Sequence, residues 1–220
     1  MGFLSTDQPE PLSLARRRAL ILVLSFSQMA AWGTTFYAPS VLGPALGQEI
    51  GASPEVQFGG VTVMLLVSAV LSPWAGRYID RHGARRTTAA GSLLLALGLV
   101  GMSQASGPVS YLAAWIPVGM ATPLSMSNAA FAAVAQACPG EGRRPITLLM
   151  LMGGLASGVY WPIGGWLQAE LGWRGAFVAF AAIHLVLCLP LHALFVRRAA
   201  RWGGMDTAHL ATAAALPQSA

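Results

Sequence analysis

The side chains of this 220-residue chain that could do chemistry fall into three small sets. The first is polar and uncharged. Ser25, Gln28, Trp32 and Thr35 fall on one face at helical spacing, and Ser125, Asn128 and Gln136 do the same on another segment. An amide in apolar surroundings must find a partner or water, so Gln28 and Asn128 are the candidates to line a path for a polar solute, with plain interhelical hydrogen bonding as the alternative. Tyr160 and Trp161 could add aromatic contact or serve as packing residues. The second set is charged: Asp80 stands among Arg77, Arg81, Arg85 and Arg86. A carboxylate so placed can pair with an arginine or sit at a helix amino terminus.

The third set could hold nucleophiles, metals or protons. Ser157 lies in Gly154-Leu155-Ala156-Ser157-Gly158, whereas the nucleophile of an intramembrane serine protease needs glycine where Leu155 stands. Cys138 and Cys188 belong to no C-x-x-C pair or Cys/His cluster, so they are expected as packing residues, with no metal and no cofactor. His184 is titratable and falls within an apolar segment that holds no carboxylate, as do none of the others. Its expected place is hydrogen-bonded or lipid-facing.

The elements that position these residues follow from composition. With 55% apolar and 10% charged residues and a mean hydropathy of +0.59, the chain cannot clothe a soluble globule and belongs in a bilayer. A crossing needs roughly 20 apolar residues. Apolar segments lie at about 19–41, 57–78, 87–105, 109–136, 145–168 and 173–196, which predicts six transmembrane helices. Turn residues mark the connections 47–54, 76–86, 103–108, 139–145 and 170–173. A signal-peptide reading of the amino terminus fails because apolar character resumes through Trp32 to Leu46, and the opening Met1-Gly2 myristoylation pattern adds little to six spans.

All 13 basic residues are arginine, in short clusters between apolar runs, which signals orientation rather than nucleic-acid binding. Starting the first helix in the cytoplasm puts 12 arginines inside and only Arg174 outside, so both termini are expected in the cytoplasm. An internal repeat supports the count. At an offset of 89 residues, Ser68, Pro73, Gly76, Gly83 and Arg85 fall on Ser157, Pro162, Gly165, Gly172 and Arg174. Three spans lie between the copies, so they end on opposite sides, as in an inverted repeat of three helices plus three.

The connection Gly76-Arg77-Tyr78-Ile79-Asp80-Arg81-His82-Gly83-Ala84-Arg85-Arg86 resembles the cytoplasmic signature of the major facilitator superfamily, with Ala84 where the pattern usually has a basic residue. The stretch from Gly154 to Gly158 through Trp161-Pro162-Ile163-Gly164-Gly165-Trp166 to Phe177 is loosely similar to the fifth span of exporters in that family. The resemblance implies an all-α membrane protein, the amino-terminal six-helix half of a transporter that works by alternating access on a small solute. It implies a conformational latch at Gly76, Asp80, Arg81, Gly83, Arg85 and Arg86, and a cavity lined by the first and fourth helices. On this reading residues 1–18 are a cytoplasmic leader, 19–200 the transmembrane domain, and 201–220 a cytoplasmic tail or the start of a central linker. Six helices leave one wall of such a cavity open, to be closed by a carboxyl-terminal half, a second copy or a separate polypeptide. The expected partners are a small-molecule solute and the lipid bilayer, in a bacterial inner membrane. An intramembrane enzyme or a structural membrane subunit are the rival readings.

Overall fold

The computed structural model describes residues 13–137 and 143–196, and every described element is helical. Helix α1 (Leu14–Thr35) runs almost directly into α2 (Ala38–Ile50). Then come α3 (Pro54–Ser103), α4 (Pro108–Ser125), α5 (Ser127–Ala137) and α6 (Arg143–Ala182). The last segment alternates a π-helical turn (Ile183–Cys188), one α turn (α7, Leu189–Leu191) and a second π-helical turn (His192–Val196). Prolines open α2, α3 and α4 within their first two positions, where the missing N–H costs no helical bond. Four helical stretches, Leu14–Ile50, Pro54–Ser103, Pro108–Val134 and Arg143–Leu194, are long and apolar enough to cross a membrane.

The connections are shorter than the turn residues suggest. Helix α2 continues to Ile50 before Gly51 ends it in the left-handed conformation, so only Gly51, Ala52 and Ser53 separate it from α3. The expected loops at 76–86 and 170–173 each collapse to a single glycine. Gly83 (φ 76°, ψ 160°) breaks α3, and Gly172 (φ 68°, ψ 172°) breaks α6. That backbone region is open essentially to glycine alone, which lets the helix stop and restart within one residue. The segment expected at 109–136 is likewise divided, at Met126, whose extended backbone follows Pro123.

Neighbour contacts give the sense of each limb. Gly60 of the first α3 limb meets Trp115 of α4, and Gly119 meets Met64 and Val67, so this limb runs in the same sense as α4. In the second limb Gly101 meets Ala114, Gly98 meets Val118 and Gly91 meets Ser125, so that limb runs the opposite way. The limbs of α6 repeat the arrangement against α1 and α2. Gly153 meets Trp32, Tyr160 meets Gly33 and Gly164 meets Val41 before the break, whereas Arg174 meets Glu49 and His184 meets Thr34 after it. The chain therefore doubles back at both glycines.

Small residues let these helices approach closely, as packing within lipid requires. The core holds Trp115, Tyr111, Phe177, Phe180, Leu42, Leu95 and Leu99, and a second cluster of Leu20, Leu24, Ala84, Ala133, Val134 and Leu149 sits nearer the arginine-bearing end. The outside is as apolar as the inside. Leu66, Val70, Trp74, Met150, Leu155, Trp166, Val186 and Leu194 are all exposed, a surface that hydrocarbon covers and water does not.

Candidate functional site

The polar face of α1 is turned into the bundle. Gln28 is 2% exposed, and Ser25, Thr34 and Thr35 are buried with it. Thr35 donates to the Ala31 carbonyl at 2.5 Å and Ser27 to Leu24 at 3.0 Å, so these hydroxyls are satisfied by the preceding turn. Gln28 Oε1 and Ser25 Oγ are not: both are buried without a partner among the described residues. Leaving such an atom unmatched costs about 1–3 kcal/mol. The two atoms lie one turn apart on α1 and leave unfilled hydrogen-bonding capacity on its buried face.

Aromatic residues sit beside that face across the α1–α6 contact. Trp32 stacks on Phe36 with ring centroids 4.4 Å apart and leans on Gly153. Tyr160 is buried against Gly33 and packs on Phe180 at 5.9 Å. Trp161, next in sequence, points the other way and is 54% exposed. The structure thus brings Trp32 and Tyr160 together and leaves Trp161 on the outer surface. Ser125 is buried on α4, donating to Ala121 at 3.0 Å and pressed on Gly91 of α3. Asn128 stands in the first turn of α5, and its side chain and that of Gln136 lie outside the described residues. A separate shallow groove of about 450 Å³, lined by Pro39, Pro44, Gln48, Gln57 and Phe58 among others, opens between α2 and the start of α3.

The charged run occupies the reversal of α3. Gly83 supplies the break, and in the first turn after it the Thr87 hydroxyl donates back to the Gly83 carbonyl at 2.9 Å. Tyr78 stacks on His82 at 4.2 Å, and Arg77 lies 5.9 Å over the Trp74 ring. Asp80, Arg81 and Arg86 are exposed and Arg85 is half-buried. Asp80 forms no ion pair among the described residues. Gly76 is also exposed, with nothing within 4 Å of where a side chain would begin, so its bare face looks away from this half.

The other end of the bundle carries a cluster that the sequence did not single out. Glu49 of α2 accepts from Trp173 Nε1 at 2.6 Å and from Arg174 Nε and Nη2 at 3.1 and 2.9 Å. Arg174 Nη1 donates to the Ser103 carbonyl at 2.7 Å, and its guanidinium lies 4.2 Å over the Trp173 ring. One arginine thereby fastens the ends of α2, α3 and the second α6 limb. The available signal was that Arg174 is the lone arginine of its side and follows a repeat glycine.

Two histidines are buried in the last segment. His184 Nε2 lies 2.9 Å from Thr34 Oγ1, which settles it as hydrogen-bonded within the bundle rather than lipid-facing. His192, which the sequence reading passed over, is equally buried, with Nδ1 2.9 Å from Ser92 Oγ. Ser157 turns its hydroxyl to the Gly154 carbonyl at 3.4 Å and His184 pairs with Thr34, so these two form no nucleophile and base.

Residues 13–211 match the sequence profile of the Major Facilitator Superfamily. The chain belongs to the major facilitator superfamily. Among curated proteins it is similar to an uncharacterized 38 kDa protein in the 23S RNA operon of Thermoproteus tenax, 29% identical over 178 residues that make up 80% of this chain and 46% of that protein. It is also similar to the inner membrane transport protein RhmT of Escherichia coli (strain K12), 32% identical over 96 residues, which are 43% of this chain and 21% of RhmT. The chain spans less than half the length of either relative. Major facilitator superfamily membership brings with it secondary transport as the general activity and makes an enzyme the unusual alternative.

Proposed function

We propose that this chain is the six-helix half of a secondary transporter, moving a small polar solute by alternating access. The observation that carries the reading is the pair of single-glycine reversals 89 residues apart, Gly83 and Gly172, with closely matching dihedrals. Counting α1 with α2, the two limbs of α3, α4 with α5, and the two limbs of α6 gives six passes. The matching reversals then fall at opposite ends of the bundle, as a three-plus-three inverted repeat demands. With the arginine clusters inside, Gly83 lies at the cytoplasmic face, both termini are cytoplasmic, and the membrane is the bacterial inner membrane, in keeping with the printed name of the Escherichia coli relative.

On this reading Gln28, with Ser25 beside it, receives the solute, and Trp32, Thr35, Ser125, Asn128 and Tyr160 complete the lining as helices move. Asp80, which forms no ion pair among the described residues, is available to latch a second six-helix unit on the cytoplasmic side. That unit is a carboxyl-terminal half, a second copy or a separate chain. The test is a thermal-shift screen of metabolites on the purified chain in nanodiscs, followed by counterflow of each hit in proteoliposomes. A solute that stabilises the wild type and exchanges across the vesicle wall, with both effects lost in Gln28→Leu, supports the reading. Stabilisation and exchange unchanged in Gln28→Leu would remove Gln28 from the path, and hits that bind without ever exchanging would argue against transport.

A further inference from the structure

His192 takes no part in the polar face of α1 or in either charged cluster. It is 2% exposed, at the start of the second π-helical turn. The Ser92 hydroxyl lies 3.1 Å from the Thr88 carbonyl and 2.9 Å from His192 Nδ1; in the tautomer taken for this proposal its one proton goes to Thr88 and its oxygen accepts from Nδ1–H. A neutral imidazole carries a single N–H, which leaves Nε2 with a bare lone pair. That atom is buried and has no partner among the described residues. His184 differs. The Thr34 hydroxyl donates to Ala30 at 2.8 Å and therefore receives the Nε2–H of His184, whose hydrogen is engaged. His184 keeps a lone pair on Nδ1 by the same rule, but of the two imidazoles only His192 has its bare nitrogen both buried and unmatched among the described residues.

Among the described residues nothing around it supplies a counter-charge. Between Arg18 and Tyr37, α1 has no ionisable side chain, and between Arg86 and Gln104 neither does the second limb of α3. The last segment contributes His184 and Cys188, and the first α6 limb contributes Tyr160, all uncharged at neutral pH. A proton on Nε2 would create an imidazolium with no carboxylate to meet it, and a buried charge is tolerated only when paired or brought to water. The segment that holds His192 is also irregular in its backbone. Pro190 removes a backbone donor between two π-helical turns, so residues 183–196 lack a continuous α-helical ladder.

We propose that His192 is a proton-binding site, and that a proton on its Nε2 releases the segment 183–196 from Ser92 and from its packing in the bundle. Proton occupancy thereby selects between a packed and a loosened position of the last helix, independently of whether any solute is moved.

Cys188, one turn before His192 and buried on the same segment, reports on that movement. The full chain with Cys138→Ser is placed in nanodiscs, and the reaction of Cys188 with a dipyridyl disulfide is timed at about pH 7.5 and about pH 5. Rates are normalised to a Ser40→Cys control on the exposed surface. The normalised rate is expected to rise about tenfold or more at the lower pH, as local opening becomes favourable. His192→Gln, which keeps a donor for Ser92 but cannot ionise, is expected to abolish the rise, and His184→Gln to preserve it. Equal normalised rates at both pH values, or a rise that survives His192→Gln, would overturn the proposal. If His192→Gln does not fold, nitrogen NMR of labelled histidine in the unmodified chain decides: protonation of His192 Nε2 on acidification is expected, and a nitrogen that stays bare under conditions that expose Cys188 would refute the mechanism.

Discussion

Gly172→Ala isolates backbone strain from packing. Gly172 has φ 68° and ψ 172°, and nothing lies within 4 Å of the position a Cβ would take. The methyl group collides with no neighbour, so the whole penalty is conformational. Holding a residue other than glycine in this region costs about 1–3 kcal/mol. The folded-to-unfolded ratio should therefore fall about five- to 150-fold at the conversion of 1.4 kcal/mol per tenfold. Gly158→Ala is the matched control. Gly158 lies within α6 and also has open space around its Cβ position, but its backbone is helical. Alanine there should stabilise by up to about 1 kcal/mol, because glycine is the poorer helix former. The assay is reversible unfolding of both variants in mixed detergent micelles, followed by circular dichroism. Opposite signs for the two variants are expected. A Gly172→Ala protein as stable as the wild type would mean that the reversal does not need glycine, and the repeat argument built on it would fall.

Three further outcomes follow from the packing and the charges. Gly60→Val drives a side chain into the Trp115 indole, which is fully buried, so it should cost at least about 1–3 kcal/mol of overpacking and broaden the elution profile in detergent. Glu49→Gln removes the charge that Arg174 and Trp173 share, and its small loss of melting temperature at low salt should shrink in high salt, since the pair is exposed to solvent and screened. Asp80→Asn should leave melting temperature unchanged, because Asp80 is exposed and forms no ion pair among the described residues, while slowing counterflow of any solute the chain is found to carry.

The sequence made the helices and their breaks legible where glycine and proline had to do a particular backbone job. Gly83 and Gly172 stood out as repeat partners before their dihedrals were known, because no other residue stops and restarts a helix so abruptly. Length was harder. Turn residues at 47–54 and 76–86 suggested loops, but helix occupies the second of these except at Gly83 and the first except at Gly51, Ala52 and Ser53. The polar face of α1 was legible from spacing, whereas its direction was not: periodicity places Gln28, Trp32 and Thr35 together without saying that Gln28 ends up buried and unmatched. Tyr160 and Trp161 show the same limit, being adjacent in sequence and opposite in exposure. The Glu49, Trp173 and Arg174 cluster was out of reach because it joins residues 124 and 125 positions apart, and no local pattern marks such a meeting. His192 was missed because a single apolar run gives no sign of which imidazole will find a hydroxyl on another helix.

The two ends of this half differ in how their charge is engaged. At the Gly172 end, Glu49 and Arg174 satisfy one another and draw three helices into a single knot. At the Gly83 end, Asp80 and the exposed arginines face outward with no such closure. A pull on any one of α2, α3 or the second α6 limb is therefore passed to the other two at the Gly172 end, while the limbs that meet at Gly83 are tied across by no comparable ion pair among the described residues.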